Sequence, residues 1–466
     1  MGFARRWGWV PLALLPLALL RSGTLAESDT FWQIRIGLDV LRTRSVPDAD
    51  TYSWTATGAE WHPNSWGFDV LLGLAYRWGG LALVALLSAA FIPIICAALA
   101  TLARAMGARP GVTVWVAATG LMLLTGWLSA RPQLVDYVAA PLVLVLLETA
   151  LTADRRQHPI FAIAGLGAIH AVWVNLHNAA PIGVILLTCA GLSHIVMART
   201  LRVGALVAGA IAAAALGCLA NPLGWTLVQQ AWSVRAASAD ITEWRSILDG
   251  GPAEIAALLT ALAGAAAAAG LRRWPVAVAV AAMAAAGAYT IRLLPIACVL
   301  GLAASAAWLS SWAPSAQYFF RRRKFFSVWF GVLLAGQAVV AASIGMHPGR
   351  STYPLAAIAR LPAACRLFNS YLLGGPVILL RPDVPVSQDS RNDLYGAAAL
   401  DEAAAVEFGD GGTSWLDEQQ VTCVLTPSAS PLARRLTTDE RWHILTTDGD
   451  STAFVRRTPP ARAVNG

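Results

Sequence analysis

The sequence has little charge. Only 13% of its 466 residues are Asp, Glu, Lys or Arg, against about 25% in an ordinary soluble domain. This shortage argues against a cytosolic enzyme and against intrinsic disorder, which needs polar, charged chains. The period-two alternation of an outer-membrane barrel is missing too, since apolar runs continue for about twenty residues. With a mean hydropathy of +0.57, the composition predicts a polytopic α-helical membrane protein.

Signatures of common soluble chemistry are also missing. No CxxC, HExxH, P-loop, GxGxxG or GxSxG motif occurs in a supporting context, which disfavours nucleotide binding and serine or zinc hydrolysis. The net charge of +7 could suggest nucleic acid. The basic residues, however, form short clusters between apolar runs, where they set membrane orientation. We therefore predict membrane lipids as partners and no nucleic acid.

The apolar runs predict about eleven transmembrane helices. Their approximate ranges are 7–26, 80–103, 111–128, 133–151, 159–175, 180–198, 203–221, 253–271, 275–291, 293–312 and 326–346. They define a transmembrane domain over 1–346, with a large first outer loop at 27–66. The polar remainder, 347–466, is predicted to be a separate domain.

Arginine clusters give the predicted orientation, because short cytoplasmic loops retain them. Starting from Arg5 and Arg6, every second loop carries a cluster: Arg104 with Arg109, Arg155 with Arg156, Arg199 with Arg202, Arg272 with Arg273, and 321–324. The N-terminus is then cytoplasmic, and an odd number of helices puts 347–466 outside the plasma membrane. The first run could instead be a cleaved signal peptide, although it is long for one.

The first outer loop is the most informative segment. Apolar residues recur at helical spacing from Thr30 to Thr43, which predicts an amphipathic helix on the membrane surface. Asp29 begins it, and a carboxylate there can act as a general base or hold a metal ion. Alternatively, Asp29 or Ser28 caps the helix. His62 is a second catalytic candidate, or else a hydrogen-bonding loop residue, and the loop tryptophans could be interfacial anchors.

Several motifs together resemble a known superfamily. In order these are Asp29-Thr30-Phe31-Trp32, Arg35, Gly37, 47–52, Trp61, Trp66, Arg131-Pro132, Asn175-Leu176-His177, 221–224, Glu243-Trp244, and Arg292 with Pro295. The motifs from Asp29 to Trp66 resemble the first outer loop of the GT-C membrane glycosyltransferases, most of all that of the oligosaccharyltransferase catalytic subunit. The later motifs resemble those of a broad set of bacterial GT-C-like membrane proteins. The resemblance implies a GT-C-like helical bundle.

The resemblance also implies an activity, the transfer of a sugar from a polyprenyl-phosphate donor on the outer face of the membrane. Asp29 inherits the role of base or metal ligand, with Mg²⁺ or Mn²⁺ as the candidate ion. The second acidic motif of oligosaccharyltransferases is absent, so a metal at Asp29 would need Asp240 or Glu243. A metal-free mechanism is the alternative.

The remaining outward-facing polar residues predict a cavity, because polar groups at membrane depth usually face one. Arg131 and Arg292 suit a lipid phosphate, or else they extend to the interface or pair with Asp136 or Glu243. We assign substrate binding to seven residues: Trp32, Arg35, Arg131, Asn175, His177, Glu243 and Arg292. For Asn175 and His177 the alternative is structural hydrogen bonding at the rim of the cavity.

The polar region 347–466 is predicted to be a small extracytoplasmic α/β domain. Its β-like runs are 376–380, 421–425, 443–446 and 452–455, and 397–408 has a helical pattern. The stretch 368–371 followed by Gly374-Gly375 is either a fold-forming turn or an acceptor-binding motif. Asp389, Arg391 and Asp393 are expected in a solvated loop, and Cys365 could pair with Cys423.

These observations predict a membrane glycosyltransferase that moves a sugar from a polyprenyl-phosphate donor to an envelope glycan, lipid or protein. Two alternatives stay open: a transporter or flippase of lipid-linked glycans, and a non-catalytic scaffold of the same fold. No internal repeat of the kind found in transporters is evident.

Overall fold

The computed structural model describes residues 24–152, 159–227, 244–312, 335, 348–409 and 412–457. The chain is mostly helical and divides into two compact units. What we call the helical unit contains the described parts of 81–232 and 239–349, and what we call the mixed unit contains those of 24–80 and 350–466. The predicted spans 7–26 and 326–346 lie almost wholly outside the described residues.

Nine helices match the nine other predicted spans. They are α2 (Trp66–Ala105), α3 (Pro110–Leu123), α4 (Gln133–Thr152), α5 (Pro159–Leu176), α6 (Pro181–Ala198), α7 (Leu201–Cys218), α8 (Pro252–Gly270), α9 (Trp274–Tyr289) and α10 (Leu294–Ser311). Within the described ranges, seven helical segments are long and apolar enough to cross a membrane, while α3 and α9 are shorter. The protein is therefore a multi-pass membrane protein.

Small residues bring the helices of the helical unit close together. A Cβ atom on Gly264 of α8 would lie 2.2 Å from the Cα of Gly301 on α10, and one on Gly217 of α7 would lie 2.4 Å from the carbonyl oxygen of Gly167 on α5. Membrane helices gain little from the hydrophobic effect and associate through such close packing. The glycines thus allow close packing of α8 against α10 and of α7 against α5.

The mixed unit combines α1 (Ser28–Thr43) and the first part of α2 with short elements from the C-terminal region. The strands are β1 (Thr24–Leu25), β2 (Arg350–Ser351), β3 (Leu367–Asn369), β4 (Cys423–Pro427), β5 (Trp442–Asp448) and β6 (Ser451–Arg456). The later helices are α11 (Leu355–Ala359), α12 (Gly374–Leu380), α13 (Asn392–Phe408), α14 (Gly412–Glu418) and α15 (Pro431–Thr438). Both the helix of the first loop and the α/β character of the C-terminal region are as predicted.

The main sheet has the order β3-β4-β6-β5. Strand β3 pairs with β4 in parallel, and the other pairs are antiparallel. Successive residues of a strand point to opposite faces. Accordingly, Cys423 and Leu425 belong to one hydrophobic cluster, which includes Trp32 of α1, while Val424 belongs to the cluster on the other face. Trp32 and Trp61 are thus buried in a protein core, which contradicts the alternative of interfacial anchors for these two.

The predicted strand at 376–380 is wrong, because this segment lies in helix α12. A short apolar run fits a buried strand and a buried helix equally well. Val377, Ile378 and Leu379 are all buried, so the run has no exposed face that would reveal its period.

We expect Cys365 and Cys423 to form a disulfide on mild oxidation of the folded protein. Both side chains are buried, and the backbone N–H of Cys423 donates to the carbonyl oxygen of Arg366 at 3.2 Å. A hydrogen bond to Cys365, together with burial, raises the pKa of the Cys423 thiol. Peptide mapping after diamide treatment should recover the 365–423 pair, with Cys423→Ser as the control. Because burial and the raised pKa slow the reaction, the oxidation is followed for hours at alkaline pH; if the folded protein still gives no 365–423 pair, the proximity of the two thiols is wrong.

Candidate functional site

Asp29 lies in the first turn of α1, where a negative charge complements the helix dipole. The residue before the helix is Glu27, whose side chain forms no capping hydrogen bond. Within the described chain the hydroxyl of Ser28 has no hydrogen-bond partner, so a capping role for Ser28 is wrong. Asp29 is a half-buried residue, and its carboxylate contacts a second segment of the mixed unit.

That segment is the loop 387–391, which contributes Ser390. The hydroxyl of Ser390 donates a hydrogen bond to Oδ1 of Asp29, and it accepts one from Nε1 of Trp32 at 3.0 Å. Asp29 and Trp32 are three residues apart and therefore share one face of α1. Since a hydroxyl has one hydrogen, the Trp32 N–H directs that of Ser390 toward the carboxylate. The oxygen of Asp29 is held in place while part of the residue remains accessible.

Two tryptophans belong to the same cluster, because Trp32 shares the hydroxyl of Ser390 with Asp29 and Trp61 packs against Trp32. The Trp32 and Trp61 rings meet edge to face, with centroids 6.0 Å apart. Nε1 of Trp61 donates to Oδ2 of Asp393 at 3.2 Å, so residues 390 and 393 of one segment hold both indoles. The mixed unit thereby places acidic groups and aromatic side chains together.

Gly374 and Gly375 set the spacing between the two halves of this cluster. A Cβ on Gly375 would lie 2.2 Å from the backbone oxygen of Ser28, next to Asp29. A Cβ on Gly374 would lie 2.2 Å from the backbone oxygen of Gln388, in the loop that carries Ser390. The Gly-Gly pair begins helix α12 rather than forming a turn, and it allows the backbone of this helix to approach Ser28 and Gln388 closely.

We expect Gly375→Ala to destabilise the mixed unit by about 1–3 kcal/mol, the usual cost of overpacking. The added methyl group must displace backbone, which cannot rotate away as a side chain can. Pulse proteolysis in urea would measure the change. Gly111→Ala on α3 is the matched control, because a Cβ there meets nothing within 4 Å. Equal effects of the two variants would contradict the close approach.

A buried ion cluster lies behind the site. Arg391 is 1% exposed, and it donates to Asp50 at 2.7 Å and to Asp389 at 2.7 and 2.8 Å. Its guanidinium also lies over the ring of Trp61, 4.8 Å from the centroid. Burial opposes the charge, but the carboxylates, Asp389 before Asp50, outweigh it and raise the pKa of Arg391 well above its ordinary value. The prediction that Asp389 and Arg391 are solvated is therefore wrong.

The other candidates in the mixed unit have partners of their own. Arg35 pairs with Asp39 at 2.9 Å, and Asp39 accepts a hydrogen bond from the Tyr52 hydroxyl at 3.1 Å. Burial, followed by the charge of Asp39, raises the pKa of Tyr52. His62 lies in the loop before α2, with Nε2 3.4 Å from Oε1 of Glu60.

The helical unit has a separate polar group where α4 begins and α5 ends. His177 follows α5, and its Nδ1 lies 2.8 and 2.9 Å from the two carboxylate oxygens of Asp136. Nε1 of Trp173 donates to the same carboxylate at 2.7 Å. Asn175 donates to the carbonyl oxygens of Ala171 and Ala220, both at 2.7 Å, in agreement with its structural alternative.

The arginines predicted to bind phosphate also belong to the helical unit. Arg131 is half-buried just before α4. Arg292 lies in the turn before α10, and its guanidinium is 5.4 Å from the ring centroid of Trp244. Glu243 lies outside the described residues.

The described surroundings of Asp29 show no complete set of ligands for a divalent metal. No group of three or more His, Cys, Asp or Glu side chains suited to an ion occurs in the parts of the chain that the structure describes. Mg²⁺ and Mn²⁺ prefer several oxygen ligands, whereas the Asp29 oxygen is engaged by the hydroxyl of Ser390. Asp240 and Glu243, the predicted additional ligands, lie outside the described residues. Mg²⁺ or Mn²⁺ at Asp29 stays a prediction from the resemblance.

Sequence reasoning did not place three residues in these polar groups, namely Ser390, Asp393 and Asp136. Ser390 is 361 positions from Asp29, and nothing local distinguishes it from any loop serine. Asp136 gave a usable signal, because a carboxylate in an apolar helix usually has a partner.

Comparison with known proteins identifies the fold. No family model and no curated protein matches the chain. Among solved structures, the chain is similar to the Archaeoglobus fulgidus oligosaccharyltransferase tethered with an acceptor peptide containing the NVT sequon. The TM-score is 0.59 at 11% identity, covering 92% of this chain and 70% of that chain. For the same enzyme in complex with Zn and sulfate, the TM-score is 0.52 at 12% identity, covering 90% of this chain and 67% of that chain.

ArnT from Cupriavidus metallidurans bound to undecaprenyl phosphate is similar over nearly its whole length. The TM-score is 0.54 at 12% identity, covering 97% of this chain and 98% of that chain. Identities this low show the fold alone. The chain has the GT-C fold that its motifs predict, a polytopic helical bundle with a small C-terminal region that contains a sheet.

Proposed function

We propose that this protein is a membrane glycosyltransferase that transfers a sugar from a polyprenyl-phosphate donor to an acceptor in the cell envelope. The observation that carries the proposal is the Asp29 carboxylate, half-buried at the start of α1 and held by Ser390, which Trp32 orients. A carboxylate fixed by a hydroxyl that an indole N–H orients suits the activation of an acceptor next to a sugar.

In the proposed step, a nucleophilic atom of the acceptor attacks the anomeric carbon of the donor sugar. The bond between that carbon and the phosphate oxygen breaks, and polyprenyl phosphate leaves with the electron pair. Asp29 accepts the proton that the acceptor loses, or orients the acceptor through a hydrogen bond. Trp32 and Arg35 remain candidates for contact with the substrate, and His62 for a second catalytic group.

The departing phosphate gains negative charge, which cationic groups would stabilise. We assign this role to Arg131 and Arg292 of the helical unit, because guanidinium groups bind phosphate oxygens in a bidentate manner. The ligands of the similar structures support both halves of the proposal: ArnT is bound to undecaprenyl phosphate, and the oligosaccharyltransferase is tethered with an acceptor peptide. We further propose that the mixed unit faces the outside of the plasma membrane.

Incubation of the purified protein with labelled polyprenyl-phosphate sugars tests the proposal. Release of polyprenyl phosphate together with a labelled product supports it. Movement of intact donor across a proteoliposome membrane would instead indicate a flippase. The assay uses a panel of donors and an envelope extract as the source of acceptor. If the donor is neither cleaved nor moved, the glycosyltransferase and the flippase are both excluded, and the scaffold is left.

A further inference from the structure

A buried polar cluster joins α1 to the start of α2 in the mixed unit. Its members are Gln33 of α1, Ser65 directly before α2 and Asp69 in the first turn of α2, which are 3%, 0% and 0% exposed. Oγ of Ser65 accepts a hydrogen bond from Nε2 of Gln33 at 3.3 Å and donates one to Oδ1 of Asp69 at 2.9 Å. Gln33 follows Asp29 by four residues, so the cluster lies about one turn of α1 from that carboxylate.

Glycines exclude water from the crossing of the two helices. A Cβ on Gly37 of α1 would lie 1.8 Å from the backbone oxygen of Asp69, and a Cβ on Gly73 of α2 would lie 2.8 Å from the backbone of Gly37. The two backbones are therefore in contact one turn beyond Gln33 and Asp69. The cluster is enclosed by this packing.

Two oxygen atoms of the cluster have no partner. In the described part of the chain, Oε1 of Gln33 and Oδ2 of Asp69 are both buried without a hydrogen bond. The Ser65 hydroxyl has one hydrogen, which it donates to Asp69, so the Gln33 amide presents its NH2 group to Ser65 and its oxygen elsewhere. Buried polar atoms are nearly always paired. Since both atoms are acceptors, the group that they lack carries a positive charge or donates hydrogen.

The charge of Asp69 is uncompensated as well. Among the described residues, no basic side chain pairs with it. The first turn of a helix favours an ionised carboxylate, because the helix dipole is positive there. A buried charge nevertheless costs free energy unless an opposite charge accompanies it. A cation at Oδ2 of Asp69 would supply that charge and use the free oxygen of Gln33.

The ligand set favours a monovalent ion. Carboxylate, amide and hydroxyl oxygens are the ligands of hard cations. One carboxylate balances a single positive charge, whereas Mg²⁺ or Ca²⁺ would leave a buried excess of positive charge. Mg²⁺ also keeps several of its waters, for which a cluster closed by backbone contacts leaves little room.

We propose that Oδ2 of Asp69, Oε1 of Gln33 and the remaining lone pair of Ser65 Oγ bind a monovalent cation, Na⁺ or K⁺. The cation neutralises Asp69 and holds α1 against the start of α2. This inference does not depend on the proposed function. If both are correct, the cation stabilises the helix that presents Asp29.

Thermal unfolding of the full-length protein in lipid nanodiscs tests the site. NaCl or KCl replaces N-methyl-D-glucamine chloride at constant ionic strength, because the organic cation is too large for the cluster. We expect the bound ion to raise the Tm by about 3–6 °C at about ten times its dissociation constant. The ion that acts at the lower concentration is the one that the site prefers.

Three variants make the shift specific. Asp69→Asn keeps the shape and the bond to Ser65 but removes the charge, so it should abolish the shift. Gln33→Met has nearly the same length without the oxygen, and it should require an ion concentration at least about tenfold higher. Asp383→Asn changes an exposed carboxylate of the same unit and should keep the wild-type shift.

Two results would overturn the inference. Equal shifts in the wild type, Asp69→Asn and Asp383→Asn would show a general effect of salt. No shift in the wild type would show that neither ion binds, and equal stability of Asp69→Asn would then identify a proton as the group that neutralises Asp69. If Asp69→Asn fails to fold, Gln33→Met decides, because an unchanged ion requirement in that variant excludes the site.

Discussion

Asp29→Asn is expected to lower the rate of sugar transfer about 100- to 10,000-fold, the usual contribution of a positioned general base. Asparagine has nearly the same shape and keeps an oxygen that can accept the hydrogen bond from Ser390. It cannot take up the acceptor proton at neutral pH. The chemistry should therefore be lost while the fold persists. The measurement is the turnover number at saturating labelled donor, with a thermal unfolding curve for each variant.

Two further variants make this result specific. Ser390→Ala removes the group that holds the Asp29 oxygen but leaves the carboxylate, so its rate should fall between those of Asp29→Asn and the wild type. Asp383→Asn changes an exposed carboxylate of the same unit that pairs with Arg381, and it should leave transfer unchanged. Transfer by Asp29→Asn at the wild-type rate would exclude Asp29 as the base.

The membrane helices could be predicted from sequence because their signal is local. An apolar run of about twenty residues indicates a span whatever it packs against, and the nine predicted spans that fall on described residues all coincide with helices. The run at 376–380 shows the limit of this signal. It is too short for its period to be read, and contacts with distant residues made it a helix.

The candidate site could be predicted only in part, because some of its contacts join residues that are far apart in the sequence. Asp29 stands out locally, since it begins an amphipathic helix directly after an apolar run. Ser390 and Arg391 do not, because their roles come from residues 361 and 341 positions away. A group of charged residues in a loop usually indicates that their side chains are exposed to solvent. Here, however, the carboxylates of Asp50 and Asp389 pair with the guanidinium of Arg391, and all three side chains are buried.

Loss of the Arg391 side chain is therefore the second change with a large expected effect. We expect Arg391→Met to destabilise the mixed unit by about 3–5 kcal/mol, because removal of one partner leaves buried charge without compensation. Asp50 and Asp389 are both 0% exposed. Asp50 also accepts hydrogen bonds from the backbone N–H groups of Tyr52 and Ser53 at 3.2 and 3.0 Å. Repulsion between the two carboxylates would thus disturb the first loop as well as the loop of Ser390.

Pulse proteolysis in urea would measure this loss, and Arg441→Met is the matched control. Arg441 also pairs with two carboxylates, those of Asp417 and Asp439, both at 2.6 Å, but its side chain is 49% exposed. Exposed pairs contribute about 0–1 kcal/mol, so the control should change stability little. Combining Arg391→Met with Asp50→Asn and Asp389→Asn should recover part of the loss, because the amides carry no charge. If the triple variant is less stable than Arg391→Met, the hydrogen bonds that the carboxylates of Asp50 and Asp389 accept from backbone N–H groups outweigh the repulsion between them.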